Sequence, residues 1–432
     1  MDGALTRGQP TALAGVRSMI ARGVPHAVLF VGPPSVGKTT LALDLAAALL
    51  CEAERRADRP CRACRGCRLV ASGNHPDLHR LRPGGAGNQI KISATTVDPR
   101  PGIRELVGEL SLMPVEGGAR VAVVEGAHRM NEDAQNALLK TLEEPPTGVV
   151  ILLCADDEDR LLSTIRSRCQ RIRLGTVAVR DMEAWLTERG AADAPAAARF
   201  ARLSAGRPGL ALSYAASADA TAARAELDRT LIDLLATRPS ARLVAVRKLL
   251  VRAAALAVAL EPDGPADPAA RSPVRRARRG AAAITVTAPS ASATSALTAG
   301  AEVTPAATET PGHDRARGTE DDADGSAPET EEPASSRKAS PAERRRAALL
   351  LVDVWRDCAV DLRRAELGDV RRLHDPALLE EVVAVVPRMP AGALAGFLRR
   401  LDRASRAIEG NASPELALDV LALAWPRATV VA

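Results

Sequence analysis

Aromatic side chains are scarce in this sequence. Its 432 residues include only three Trp, three Phe and one Tyr. Aliphatic side chains must therefore build the cores, and stacking of exposed bases on aromatic rings is disfavoured as a binding mode. Long apolar runs are also lacking. A stretch such as Val149 to Ala155 is far below the ~18 residues that span a bilayer, so no membrane partner is expected. The start, Met1-Asp2-Gly3-Ala4, has no basic residues leading into an apolar segment, and no signal peptide is expected. Neither charge sign dominates. The 58 basic and 53 acidic residues leave +5, which permits a nucleic-acid partner without indicating one. Seven cysteines do not make an even framework, and four of them crowd between Cys51 and Cys67. That is unlike a secreted disulfide scaffold. What is left is an intracellular, cytoplasmic protein with room for about two to four domains at roughly 100–200 residues each.

Residues 1–175 alternate strand-like and helix-like segments. Val28-Leu29-Phe30-Val31, Arg120 to Val124 and Val149 to Leu153 are short, rich in β-branched side chains and followed by polar turns. Such runs are expected to be buried parallel strands with helices between them. From about residue 178, Leu, Ala and Arg recur at helical spacing, interrupted by Gly206, Pro208 and Gly209. Residues 261–340 contain nine prolines, one leucine and no aromatic residue, with basic and acidic clusters. That composition buries too little apolar surface to offset ordering entropy, and disorder is expected. Helical faces resume from Pro341: Leu349 to Val352, Leu378-Leu379 with Val382-Val383, and Leu394, Phe397, Leu398 and Leu401.

Gly32-Pro33-Pro34-Ser35-Val36-Gly37-Lys38-Thr39 matches G-x-x-x-x-G-K-[ST] between an expected strand and an expected helix from Thr40 to Leu50. That context marks a phosphate-binding loop. Its backbone N–H groups would turn toward phosphate oxygens, aided by the helix N-terminus. Lys38 would reach the outer phosphates and Thr39 would ligate Mg²⁺, with Thr40 beside it. After the second strand comes Glu125-Gly126-Ala127-His128. Glu125 can act on the metal shell, Gly126 cannot polarise water, and His128 is expected to begin a helix. The site should bind ATP–Mg²⁺ and hydrolyse it poorly.

Cys51, Cys61, Cys64 and Cys67 offer four soft ligands at short spacing. A closed tetrahedral zinc site with a structural role suits them. Iron–sulfur ligation and free thiols are the alternatives. Cys154 and Cys358 are expected to be core residues.

In order, the P-loop, the four-cysteine loop, Val123 to His128, Asn136 to Pro146 and Thr164-Ile165-Arg166-Ser167-Arg168-Cys169 resemble the bacterial AAA+ clamp-loader family. The resemblance covers about residues 25–215, and Asn411 to Leu418 resembles the family's C-terminal collar. Residues 261–340 resemble nothing in it. The resemblance implies an α/β P-loop (AAA+) domain with a parallel sheet over 1–177 and a small helical lid over 178–215. An all-α collar follows over 216–260 and 341–432, carrying the disordered insertion 261–340.

Three parts of the family's ATP-hydrolysing gamma/tau motor are missing. Gly126 stands in its Asp-Glu pair, Gly209 in place of its lid arginine, and no Thr or Asn follows the third strand near Ala155-Asp156. The sequence is thereby similar to the delta-prime branch of DNA polymerase III, a ring-completing stator; a gamma/tau-type motor is the alternative. The resemblance implies gamma/tau and delta partners in a hetero-pentameric ring, the sliding β clamp, and primed DNA held through its backbone. It also implies that Arg168 is an arginine finger for a neighbour's ATP, and that the chain has negligible ATPase and no polymerase active site of its own. It leaves the roles of Lys140, Glu143 and Glu144 open.

Overall fold

The computed structural model describes residues 3–84, 88–95, 99–116, 118–260, 340–390 and 392–429. Five strands follow in chain order: β1 (Ala27–Val31), β2 (Leu78–Leu81), β3 (Arg120–Val124), β4 (Val149–Ala155) and β5 (Gln170–Arg173). They form one sheet in the order β2-β3-β4-β1-β5, with every neighbouring pair parallel. The three expected strands are its centre, and each is buried along its whole length. The edge strands escape the sequence pattern. Leu-His-Arg-Leu and Gln-Arg-Ile-Arg face solvent in part, and edges carry charge for that reason.

Alternate side chains of the central strands feed two cores. Val28, Phe30, Val121, Val123, Leu152 and Cys154 pack on one face against α1 (Pro10–Arg22), α2 (Lys38–Leu49) and Val70 of α3 (Arg65–Ser72). Leu29, Ala122, Val124, Ile151 and Leu153 pack on the other against α4 (Ile103–Leu110), α5 (Glu132–Glu143) and α6 (Ser163–Arg168). Helix α2 begins at Lys38 rather than at Thr40, because left-handed Gly37 serves as its N-cap. Asp44 of α2 is fully buried. It accepts hydrogen bonds from Leu5 N (3.0 Å), Thr6 N (2.9 Å) and the Thr6 hydroxyl (2.7 Å), and it pairs with Arg62. One buried carboxylate thus ties the N-terminal segment and the cysteine loop to the P-loop helix.

Helices α7 (Val179–Glu188), α8 (Ala194–Leu203) and α9 (Pro208–Ala216) share a small core of Val177, Met182, Leu186, Ala197, Ala201 and Ala211. The remaining helices are α10 (Ala218–Asp233), α11 (Pro239–Ala259), α12 (Pro341–Glu366), α13 (Leu379–Val385), α14 (Ala393–Glu409) and α15 (Pro414–Ala424). They enclose a third large core, which Tyr214 of α9 joins. Three of the few aromatic rings meet there: Trp355, Phe397 and Trp425, with centroids 4.6–5.6 Å apart. Cys154 and Cys358 are buried, as expected. Helices α11 and α12 pack on each other although residues 260–340 separate them in sequence. The disorder expected for 261–340 lies outside the described residues, except that Ser340 caps α12 through a capping box with Glu343. The Asn411 to Leu418 stretch becomes helical only at Pro414, because Ser413 is the N-cap.

Arg242 of α11 is wholly buried in this core. It donates to the carbonyls of Thr237 (3.1 Å), Leu235 (3.4 Å), Ala422 (3.4 Å), Pro426 (2.9 Å) and Trp425. The last three lie at the C-terminal end of α15, where carbonyls lack partners within the helix and a cation meets the negative dipole end. Arg242→Met is expected to destabilise the chain by about 3 kcal/mol, because it leaves those acceptors buried and unpaired. Arg242→Lys should restore only part of that, since one ammonium cannot span five carbonyls. Denaturant titration measures both, and an unshifted midpoint would remove Arg242 from this role.

Candidate nucleotide and metal sites

The loop between β1 and α2 is anchored at both ends. Gly32 N donates to Ala155 O at 3.3 Å, extending the β1–β4 pairing, and Val36 is buried in the sheet core. Pro33, Pro34 and Ser35 between them are exposed. Lys38 is 7% exposed. Its ammonium meets Gly32 O at 2.8 Å, Pro33 O at 2.5 Å and Asp156 Oδ1 at 2.7 Å. Thr39 and Thr40, on the first turn of α2, are half-buried, and the Cys154 thiol near them is buried. Burial pushes that thiol up to about 12, so it stays protonated.

The carboxylate after β3 is engaged elsewhere. Glu125 Oε1 accepts from Arg80 (Nε 3.0 Å, Nη2 2.6 Å) and Arg82 (Nε 2.9 Å), which come from β2 and the residues just beyond it. Gly126 has φ 63°, and a Cβ there would lie 3.1 Å from the Pro83 ring. A side chain at this position would be strained as well as crowded. His128 lies in a short 3-10 turn rather than at the start of α5. Its Nδ1 accepts the Asp156 backbone N–H at 3.1 Å, and Nε2 lies 3.7 Å from Asp156 Oδ2. Burial lowers its pKa to about 4 against the attraction of Asp156, so the ring is neutral at pH 7.

Helix α9 meets the loop directly. Gly209 N donates to Ser35 O at 2.9 Å, at the position where an arginine was missed in the sequence. A cleft of about 780 Å³ opens beside Ser35 and Asp156, with Arg207 and Asp353 among its lining residues. Arg168 ends α6. It donates to Thr164 O at 2.9 Å and pairs with Glu143 at 2.8 Å, both side chains being partly exposed. Glu143 ends α5, Glu144 is its C-cap, and Lys140 is exposed one turn earlier. The sequence reading missed Asp44, Arg80, Arg82 and the ionic partner of Lys38. For Asp156 a signal existed, an acidic residue immediately after an apolar strand.

All four candidate ligand sulfurs, of Cys51, Cys61, Cys64 and Cys67, lie within 4.8 Å of one another. A tetrahedral ion with Zn–S of ~2.3 Å needs sulfurs ~3.8 Å apart, and Cys51 and Cys64 Sγ are 3.9 Å apart. Cys51 follows the end of α2, and Cys64 caps α3 by accepting Cys67 N at 3.3 Å. Gly66 packs so tightly that a Cβ would overlap the Leu50 carbonyl. Backbone N–H groups of Cys64 and Ala63 pull the Cys61 thiol down to about 6, whereas burial pushes Cys51 and Cys67 up. Neighbouring thiols in these conditions cannot all ionise without a cation among them. Four converging sulfurs with no open position could hold one metal ion such as zinc.

The parallel β2-β3-β4-β1-β5 sheet, the P-loop at the end of a central strand and the appended helical bundles define an AAA+ fold. Residues 8–178 match the protein-family model described as DNA polymerase III, delta subunit. The chain is 36% identical over 188 residues to DNA polymerase III subunit delta′ of Escherichia coli, covering 44% of this chain and 54% of that protein. It is 42% identical over 144 residues to the Pseudomonas aeruginosa delta′ subunit, covering 33% and 41%. To the E. coli tau subunit it is 35% identical over 168 residues, covering 39% and 24%. The matched part spans about half the length of the first of these relatives and less of the others. Over residues 8–178 the chain is thus similar to the delta-prime subunits of bacterial DNA polymerase III.

Elemental analysis of the purified full chain is expected to give about one zinc per chain. Cys61→Ser with Cys64→Ser should remove the metal and lower the melting temperature, because the loop has little apolar content with which to hold itself together. A fully folded, metal-free preparation would refute the site.

Proposed function

We propose that the chain is a delta-prime-type, ring-completing subunit of a DNA polymerase III clamp loader. In this reading 1–177 is the P-loop domain, 178–215 the lid, and 216–260 with 341–432 the collar. Structural zinc holds the cysteine loop. The chain works in the cytoplasm with gamma/tau and delta subunits in a hetero-pentameric ring. The ring opens the sliding β clamp and sets it on primed DNA, contacting the phosphate backbone in a salt-sensitive, sequence-independent way. One observation carries the reading of the nucleotide site. The P-loop lysine and its cradle are formed, but Glu125 is held by two arginines and the next residue is a glycine in a left-handed turn. No carboxylate is thereby left to orient an attacking water there. That favours a stator over a gamma/tau-type motor, although the chain is nearly as similar to tau as to delta′.

Exposed apolar stripes support assembly. Val244, Val251 and Val258 are at least 62% exposed on α11, and Leu416, Val420 and Leu423 at least 52% on α15. These two helices pack side by side, so the collar has apolar surface suited to another helical domain. The Arg168–Glu143 pair supports a role in trans. A partly exposed ion pair is weak, so a phosphate group can draw the guanidinium away from it.

The isolated chain should bind Mg-ATP through Lys38 and Thr39 with negligible turnover, as read by equilibrium binding beside a phosphate-release assay. Brisk hydrolysis would refute the stator reading. In rings reconstituted with motor and delta subunits, Arg168→Ala and Arg168→Lys should leave assembly intact and cripple clamp loading. An arginine finger is worth roughly 10³–10⁵ in rate at its own site, yet total ATPase should fall only in part because other sites remain. Normal loading by either variant would remove Arg168 from the mechanism.

A further inference from the structure

Lys38 is the cation that a P-loop presents to the outer phosphates of a nucleotide. Here its ammonium has no idle donor. An ammonium carries three N–H groups, and three acceptors lie within 2.8 Å: the Gly32 and Pro33 carbonyls and Asp156 Oδ1. The lysine is buried, so this contact is stronger than a surface ion pair. Asp156 is delivered there by the sheet. Ala155 is the register partner of Val31, the last residue of β1, and Asp156 is the next residue along.

The aspartate is also held from behind. Its backbone N–H donates to His128 Nδ1, which assigns the imidazole proton to Nε2, on the side of Asp156 Oδ2. Because burial keeps that ring neutral, it orients the carboxylate without cancelling its charge. The cations nearest the loop are engaged or stand further out, with Arg129, Arg160 and Arg207 lining the cleft beyond Asp156. Arg80 and Arg82 are bound to Glu125, and Gly209 brings only a backbone N–H from the lid.

We propose that Asp156 is a specificity-determining residue of the P-loop: by occupying Lys38 it disfavours nucleoside triphosphates relative to diphosphates. The inference rests on the reading of residues 32–40 as a nucleotide site. A diphosphate ends in the cradle of loop N–H groups. A triphosphate carries one more charged group to the outer, Lys38 side, where the Asp156 carboxylate already stands. Binding it must either push Asp156 off the lysine or set two anions side by side. Such a site would hold a diphosphate through cycles in which neighbouring sites exchange triphosphate.

The test is equilibrium calorimetry of the full chain with Mg-ATP and with Mg-ADP, on the wild type, Asp156→Asn and Asp156→Ser, with thermal melts as a folding control. Wild type should prefer Mg-ADP. Asp156→Asn should tighten Mg-ATP about tenfold and Mg-ADP by less than about threefold; the serine variant serves if the asparagine variant does not fold. An unchanged ATP-to-ADP ratio in a folded variant, with clear binding, would overturn the inference and leave the nucleotide site standing. No binding of either nucleotide by any of the three proteins would sink the nucleotide-site reading and this inference together.

Discussion

Strand β1 pairs with β4 on one side and β5 on the other, and the candidate nucleotide site depends on that placement. The chain leaves β1 at Gly32 still bonded to Ala155 of β4, while Leu174, just past β5, donates to Val31 O at 2.8 Å. The P-loop therefore starts between the ends of two parallel neighbours. One of them brings Asp156 to Lys38. The other leads into helices α7 to α9, and α9 returns to touch Ser35. Ligand sites in parallel α/β sheets form at these carboxyl ends because the loops that leave adjacent strands meet there.

The charged groups around this edge answer one another inside the chain. Lys38 is met by Asp156, Glu125 by Arg80 and Arg82, and Arg168 by Glu143. Each pair balances one charged side chain with another of the same chain. The pairs differ in how firmly they hold. Lys38 is buried, whereas Arg168 and Glu143 are partly exposed, so screening weakens the latter more. The Lys38 contact is therefore the firmer of the two, and the Arg168 pair is the more easily broken.

Elsewhere the fold relies on single buried polar groups that join segments distant in sequence. Asp44 gathers the N-terminal segment and the cysteine loop onto α2. Arg242 closes the end of α15. Arg224 links α9, α10 and α12 by reaching the Tyr214 hydroxyl, Asp228 and Asp357. With so few aromatic side chains, the cores are built from small aliphatic ones, and these satisfied polar hubs add directionality that aliphatic packing lacks.

Local sequence was enough for whatever local physics decides. Continuous β-branched runs marked β1, β3 and β4, because strands buried on both faces need no polar alternation. The P-loop was legible because its glycines and lysine act through backbone geometry within eight residues, and the cysteines because four thiols in a short loop can converge on one point. Tertiary structure alone decided which charge meets which. Polar β2 and β5 gained strand character only from neighbours in the β2-β3-β4-β1-β5 order. The same order set Arg80 beside Glu125 and Asp156 beside Lys38. A one-dimensional pattern records periodicity along the chain. It does not record which strand ends become neighbours, and at this site those neighbours determine the charge that a nucleotide would meet.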